Sequence, residues 1–488
     1  MYRKKINLIF LLLILSGSFI QILNNSICIR NEEELVSIKF NAINYNNSTI
    51  ISHDLLGMDS KNPSIAIDEE GGLHIVWEES GIWYANYNGS EWSEATKVSQ
   101  SSYFWTHLMY VPTSIIVDKN GIIHIAWQED FSYKIEGINA YIIVSEILYC
   151  SNNGTGWSDN IIISNNFNGN SFYPSMAVDS NGKAHIVWYD YSRGPWNSDS
   201  VIVYASNNGS GWTIPYVISD YDYGLSSSLN RHPDIFIDNE DMIHIVWAKE
   251  NAYEDDFDII YIFGDGYGWS NEILISDDSR NWNNGNSLRP SITGDKNGRI
   301  YVVWEDNTNG PWGTDYEIMF SYTEPPIYQW TKPIVISDDK RKWNDGSSVC
   351  PSITIDNSGK LHVVWEDYTN GIWGIDSDIL YSSYDGVEWS KITIISDNNT
   401  NWNNGNSILP FIAIDINDKI HIVWEDNTDG IWGSDREIFY SSTEGYLLEI
   451  NSSSENIPFG NHLLFLLIIG ISIIFILLRK KYEISIKR

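Results

Sequence analysis

The residues of this chain best suited to chemistry recur at fixed offsets. Trp312, Trp373 and Trp432 stand in near copies of Asn-Thr-x-Gly-x-Trp-Gly-x-Asp, with Trp196 in a looser version, and Trp282, Trp343 and Trp402 stand in Trp-Asn-x-Gly-x-Ser. Flat indole faces beside Asn, Asp and Gly suit sugars, whose C–H faces stack on aromatic rings and whose hydroxyls bond to carboxylates and amides. Segments repeated this faithfully can equally pack on one another as caps, and the sequence leaves both readings open. Arg231 and Arg289 are two further ligand-contact candidates, because they stand two residues and one residue before a proline that opens a repeat. The acidic pairs Glu305-Asp306, Glu366-Asp367 and Glu425-Asp426, with Asp315, Asp376 and Asp435, supply the hard oxygen donors that calcium takes. Asp306, Asp315, Asp367, Asp376, Asp426 and Asp435 are therefore the candidate Ca2+ ligands. Their spacing is not that of an EF-hand loop, and turn-capping carboxylates would look the same. No other cofactor is expected.

The elements that must position these residues form one repeated unit: Pro, an apolar alternation, Asp, a Gly- or Asn-rich turn, then His-Ile-Val-Trp and an acidic pair. The opening prolines are Pro63, Pro112, Pro174, Pro233, Pro290, Pro351 and Pro410, and the matching tryptophans are Trp77, Trp127, Trp188, Trp247, Trp304, Trp365 and Trp424. Nine residues before each tryptophan stands an Asp; three before it stands a His, replaced once by Tyr301. A histidine that recurs in nearly every copy is a structural strand residue rather than a single catalytic group. Each unit carries four short runs rich in Ile, Val, Tyr and Trp, bounded by Gly, Asn and Asp, and these read as strands. In the sixth unit they are Ser352 to Asp356, Leu361 to Trp365, Ile379 to Ser383 and Trp389 to Ser396. Four-stranded units of this length, repeated radially, predict an all-β, seven-bladed β-propeller. The seventh unit lacks a fourth strand of its own, and Thr49-Ile50-Ile51-Ser52 matches Thr393-Ile394-Ile395-Ser396, so an N-terminal strand is expected to close the ring and cover its edge. The connections from strand two to three and from blade to blade are long and share one face, the expected functional face.

The turn between third and fourth strands carries a resemblance. Ser151-Asn152-Asn153-Gly154-Thr155-Gly156-Trp157, Ser206-Asn207-Asn208-Gly209-Ser210-Gly211-Trp212 and Ser383-Tyr384-Asp385-Gly386-Val387-Glu388-Trp389 resemble shortened Asp-boxes of the sialidase-like β-propellers, Ser-x-Asp-x-Gly-x-Thr-Trp. The resemblance covers the propeller as a fold. It implies that these turns are structural, lie opposite the active face, and use Trp92, Trp157, Trp212, Trp269, Trp330 and Trp389 for packing. The enzymes of that family grip the substrate carboxylate with an arginine cluster and use a Tyr/Glu nucleophilic pair with an Asp acid/base. Here Asn62 precedes Pro63, so the arginine that the family's Arg-Ile-Pro motif supplies before the first blade is absent, and no arginine cluster is evident, which leans the reading away from an enzyme.

Composition and ends complete the expectations. The chain has 488 residues and a net charge of −34, which excludes a phosphate-binding surface and hence a nucleic-acid partner. Cys28, Cys150 and Cys350 are too scattered for a disulfide framework. Arg3, Lys4 and Lys5 precede an apolar run from Ile6 to Leu15, the pattern of a signal peptide, expected over residues 1–26. An uncleaved N-terminal anchor is the other reading of that run. A propeller over 45–446, a linker over 447–460, a transmembrane helix over 461–478 and a basic cytoplasmic tail over 479–488 follow, with the propeller outside the cell by the positive-inside rule. The expected function is a single-pass, membrane-anchored extracellular module that binds carbohydrate, a cell-surface polymer or a protein. An exported sialidase-like glycosidase or another carbohydrate-active enzyme is the alternative.

Overall fold

The computed structural model describes residues 19–23, 26–31, 34–39, 43–45 and 48–445. Within the last range, 53–57, 101–112, 135–140, 165–168, 192–199, 208, 220–228, 251–255, 277–282, 325–328, 339–343, 371–374, 397–402, 404 and 430–434 lie outside the described residues. The compact unit Tyr45–Glu444 holds seven antiparallel sheets in chain order, and these are the blades. In the other unit, Phe19–Leu23, Ser26–Asn31 and Glu34–Lys39 form a separate three-stranded sheet, the first of them inside the stretch expected as a signal segment. The remainder of that signal segment, and the linker, transmembrane helix and tail, lie outside the described residues. Among the described residues no helix is long and apolar enough to cross a membrane.

Blade six shows how sequence becomes blade: Ser348–Ile355, Leu361–Asp367, Asp378–Tyr384 and Thr393–Ile394 pair in that order. Both faces of the inner strands are buried, since odd and even positions pack against opposite neighbouring blades. Each repeat tryptophan is fully buried at such a junction, where emptying the site costs about 3 to 5 kcal/mol. The first strand begins earlier than the alternation predicts, because it continues through the opening proline at a bulge. Val349 pairs with Glu366 and Ser352 with Val364, so Cys350 and Pro351 share one partner position. A bulge is where a strand tolerates a residue without an N–H. Pro112 stands one residue further from its tryptophan than the other six, and Thr113 takes the proline's place in blade two.

The repeat histidines are structural, as expected. In each of their blades Nδ1 pairs with a third-strand tyrosine hydroxyl, as in His244 with Tyr261 at 2.7 Å, while Nε2 faces the turn aspartate, here Asp238 at 3.2 Å. Burial holds these imidazoles below their usual pKa, so they are neutral. Blade five changes both partners together: Tyr301 brings its own hydroxyl to Asp295 at 3.1 Å, and the third-strand residue is Phe320, which no longer needs one. The Asp-box tryptophans then lock blade to blade. Trp157 meets Tyr84 edge-on at 5.1 Å, Trp269 meets Tyr204 at 5.2 Å, and Trp92 meets Tyr440 at 5.2 Å, each ring reaching the preceding blade.

Ring closure is as expected. Phe439 pairs with Ile50 and Tyr440 with Thr49. The Ile-Ser mark has a common task. A serine after the fourth strand accepts the N–H of the isoleucine that begins the third strand's core: Ser396 from Ile379 at 2.9 Å, Ser276 from Ile259 at 3.0 Å, and Ser52 from Ile438 at 2.7 Å. Ser52 also donates to Glu437 Oε2 at 2.6 Å, as Ser396 does to Asp378. Ser52→Ala removes two buried hydrogen bonds at the seam and should lower stability by about 1 to 3 kcal/mol in urea denaturation; an unchanged midpoint would count against the seam as a structural clasp.

Candidate functional site

Six residues that directly precede an opening proline have a left-handed backbone without being glycine: Asn62, Tyr173, His232, Arg289, Cys350 and Leu409, with φ between 45° and 54°. A residue before proline prefers extended backbone, and such strain costs on the order of 1 to 3 kcal/mol per site. The conformation swings each side chain off the blade face and into the channel. All six line a cavity of about 180 Å³ on the propeller axis, together with their prolines and a second tier that includes Ser64, Ser175, Asp234, Ser291, Ser352 and Phe411. Thr113 and Ser114 complete the wall in blade two. The first strands start at the end of the channel where the long connections emerge, so the cavity opens toward the expected functional face.

The strain is held by the glutamate that follows the repeat tryptophan of the preceding blade. Glu305 Oε2 accepts the N–H of Cys350 at 2.9 Å, Glu366 Oε2 that of Leu409 at 3.2 Å, and Glu425 Oε2 that of Asn62 at 3.4 Å. The other oxygens face cations: Arg289 Nη1 donates to Glu305 Oε1 at 2.7 Å, and Arg436 Nη1 donates to Glu425 Oε1. All three glutamates are buried behind the ring. Burial pushes the carboxyls of Glu366 and Glu425 up to about 7, the second despite Arg436 beside it. Blades two, three and four have Gln128, Tyr189 and Ala248 at this position. Aromatic rings replace charge there: Tyr173 meets His232 edge-on at 4.7 Å, and Tyr189 stacks on both Phe172 and Tyr173. The mouth is thus aromatic over blades three and four and backed by carboxylates over blades five, six, seven and one.

Titratable groups on the wall are Tyr173, His232, Asp234, Arg289 and Cys350. Burial, then the nearby guanidinium charges of Arg289 and Arg231, keeps His232 neutral, and burial pushes the Cys350 thiol up. Asp234 is already occupied: it accepts Ser175 Oγ at 2.7 Å and the N–H groups of Ile292 and Ile235 at 3.0 Å.

Of the two arginines singled out from sequence, Arg289 lines the cavity, whereas Arg231 lays its guanidinium over Phe257, 5.2 Å from the ring centre. Trp312 is half-buried and folds back on its own loop, its indole N–H donating to Thr308 O at 3.0 Å. Trp196, Trp282, Trp343, Trp373, Trp402 and Trp432 lie outside the described residues. The motifs that carry them have a structural purpose. Asn283 donates to Ser287 and Asp306 and accepts from Thr308, and Asn344 and Asn403 repeat the arrangement, joining the two loop motifs of one blade. Gly285 has to be glycine, because a Cβ there would lie 2.4 Å from the N of Thr308. Asp306, Asp367 and Asp426 are consumed by this network, each also accepting the indole N–H of its own blade's repeat tryptophan at 3.0 to 3.1 Å. Asp315, Asp376 and Asp435 are half-buried at the start of the third strands. Among the described residues no group of three or more His, Cys, Asp or Glu side chains is arranged to hold a metal ion.

Tyr173, His232, Cys350, Leu409 and Arg436 were not singled out from sequence. The first four come from different blades, one or two repeats apart, Arg436 lies in blade seven with Leu409, and they share no common residue type. The signal that could have found them is positional: each of the first four precedes an opening proline.

No protein-family model matches the chain, and no curated protein matches it. Solved structures do match. The polysaccharide lyase Uly1 aligns at 10% identity over 86% of this chain and 94% of its own, with a TM-score of 0.53. A Dyadobacter fermentans protein of unknown function aligns at 11% identity over 83% of this chain and 99% of its own, with a TM-score of 0.48. The NanB sialidase of Streptococcus pneumoniae aligns at 12% identity over 83% and 70%, with a TM-score of 0.40. The chain shares the propeller fold with the lyase.

Glu366 provides a test of the wall. Its folded pKa lies above its ordinary value, so the folded state retains a proton that the unfolded chain releases, and this group's contribution to stability falls as pH rises from about 4.5 to about 7. Glu366→Gln, the residue type blade two has naturally, cannot ionise. Its stability relative to the parent should therefore improve between pH 5 and pH 8, by up to about 3 kcal/mol, in paired thermal melts. A pH-independent difference would show that Glu366 is ionised in the folded protein.

Proposed function

We propose that this chain is a binding propeller, anchored at the outer surface of a cell by its C-terminal apolar segment with a cytoplasmic tail, and that its axial cavity takes one sugar ring of a carbohydrate or cell-surface polymer. The observation that carries this reading is the ring itself: six dissimilar side chains set at one repeated, strained backbone position around a common cavity. Strain maintained at a repeated position, with free variation of the side chain it presents, is what a scaffold for recognition requires. The cavity's size suits a single ring, being smaller than the roughly 300 to 1,000 Å³ of sites that engulf larger ligands. Tyr173 supplies an aromatic face, Arg289 and Asn62 supply polar contacts, and the prolines, Leu409 and Phe411 supply apolar wall. Sugars ask for this mixture. The fold shared with a polysaccharide lyase is compatible with a carbohydrate ligand.

Binding is favoured over hydrolysis by how the carboxylates are used. Asp234 is the carboxylate on the described wall and its oxygens are taken; Glu305, Glu366 and Glu425 sit behind the ring, bound to backbone N–H groups. Most glycoside hydrolases open two carboxyl groups to the scissile bond, and the sialidase type still opens an acid/base carboxyl beside its Tyr/Glu pair.

The ectodomain, residues 30–456, screened against a panel of glycans and cell-wall polymers should give saturable binding. Tyr173→Ala should weaken it at least tenfold by calorimetry, whereas Tyr267→Ala, an exposed tyrosine on the opposite face, should leave it unchanged. Binding lost equally in both variants, or in neither, would move the ligand away from the axial cavity.

A further inference from the structure

We infer that the turns between third and fourth strands of blades one and two are modification sites, with Asn88 and Asn153 accepting N-linked glycans on the face opposite the cavity mouth. This inference rests on the exported part of the proposed function and adds a covalent ligand on another face.

Five blades build this turn on one plan: a side-chain oxygen four residues before the Asp-box tryptophan, followed directly by glycine. In blades four and six the residue is aspartate. Asp265 Oδ1 accepts the N–H groups of Tyr267 and Gly268 at 2.9 and 2.8 Å, and Asp385 Oδ1 accepts those of Val387 and Glu388, both at 2.9 Å. The N–H groups of Gly268 and Glu388, then those of Tyr267 and Val387, hold the two carboxyls below their usual range. The turn therefore favours a charged acceptor. Blades one, two and three give that charge up for asparagine, and each then places a hydroxyl two residues on: Asn88-Gly89-Ser90, Asn153-Gly154-Thr155 and Asn208-Gly209-Ser210. The turn itself asks for no hydroxyl, since Tyr267 and Val387 fill that place in blades four and six and stand 88% and 84% exposed. Together the two changes make Asn-x-Ser/Thr, the acceptor triplet for N-glycosylation. What sets these apart from triplets that an Asn- and Ser-rich composition scatters is the paired change at one turn of three adjacent blades.

The local geometry fits the reaction. Asn88 Oδ1 accepts the N–H and the hydroxyl of Ser90 at 2.9 and 2.7 Å, and Asn153 Oδ1 accepts those of Thr155 at 3.2 and 2.6 Å. The hydroxyl of the triplet already touches the amide that must react, and no described residue hydrogen-bonds to either Nδ2. Both triplets are exposed, and a Cβ built on Gly89 or Gly154 would meet nothing within 4 Å, so the turn tips stand clear of the blade. The co-reactants are a membrane-bound transferase and an oligosaccharide linked to lipid through phosphate. Nδ2 forms a bond to the anomeric carbon, the bond from that carbon to the phosphate oxygen breaks with its electron pair leaving on the lipid phosphate, and the Nδ2 proton passes to a base of the transferase.

Strand direction places both turns opposite the mouth. In blade one the third strand starts at Ile82, opposite Glu78, and ends at Tyr87, opposite Leu73 just past the tight turn. In blade two Asp130–Lys134 and Tyr141–Ser145 pair as a hairpin on the mouth side, and the second of these strands runs on to Asn152, opposite Ile123, before the turn at Asn153. Glycans at Asn88 and Asn153 coat one sector of the far face and leave the cavity open.

The test translates the full chain in the presence of sealed endoplasmic-reticulum microsomes, which supply the transferase and the lipid-linked donor. External protease reports whether the propeller has crossed the membrane. Peptide N-glycosidase in heavy-oxygen water then marks each formerly glycosylated asparagine as labelled aspartate in peptide mass spectra, and a sample without the glycosidase gives the background from spontaneous Asn-Gly deamidation. Label at Asn88 and Asn153 in most protected chains is expected. Asn88→Asp and Asn153→Asp, which install the residue of blades four and six, should each remove one glycan's mass step on a gel. Ser90→Ala and Thr155→Ala should remove the same steps while keeping each asparagine's bond to the N–H, so a folding defect in one kind of variant leaves the other to read. Protected chains whose Asn88 and Asn153 stay unmodified overturn the assignment and leave export standing. A chain that stays open to protease overturns the exported reading, and the modification with it.

Discussion

A blade of this molecule has no interior of its own. Its inner strands are apolar on both faces, and the tryptophan at the centre of each second strand reaches full burial only when a neighbouring blade covers it. Every other feature follows from that mutual dependence. Contacts that could have been made within a blade are made across the gap between blades: Asp-box indole edge-on against the preceding tyrosine, glutamate hydrogen-bonded to the next blade's backbone, serine of one first strand accepting the N–H of the next, as Ser114 accepts Met176 at 3.0 Å. The ring has to close because any gap would leave one such face bare.

That dependence explains why the fold was legible in the sequence. A contact required in each blade leaves a mark in each blade, and marks repeated at nearly constant spacing can be read without knowing what they touch. The match between Thr49–Ser52 and Thr393–Ser396 worked for this reason: both serines carry out the same bond to an isoleucine N–H. The paired change at Tyr301 and Phe320 could have been read the same way, since one hydroxyl replaces another.

The site was far less legible, for the opposite physical reason. Its residues share a backbone conformation and differ in chemistry, so a search for recurring residue types passes over them. The loop motifs do recur, and their fidelity comes from the Asn–Asp–Thr network that fastens one loop to the next. The carboxylates of the acidic pairs, gathered at strand ends, suit a cation or a turn cap alike in sequence. In the structure the first of each pair braces a strained residue and the second accepts neutral donors. The hairpin of blade two was hidden too, because its strands run straight on from those of the blade and carry no turn signal where the others stop.

The clasp of blade seven has a mechanical consequence. The strand Glu437–Gly445 is gripped on one side by Ile420–Asp426 and on the other by Thr49–Ile50. Tension applied to the chain at Gly445 acts along the strand axis, so the bonds on both sides share the load together and are strained in shear. The same pull applied at residue 48 meets a shorter run of bonds, the pairing of Thr49 and Ile50 with Tyr440 and Phe439 followed by those of Ile51 and Ser52 to Ile438 and Glu437. A propeller tethered by its C-terminal end would withstand traction on a captured ligand, while one tethered by its N-terminal end would part at the seam first.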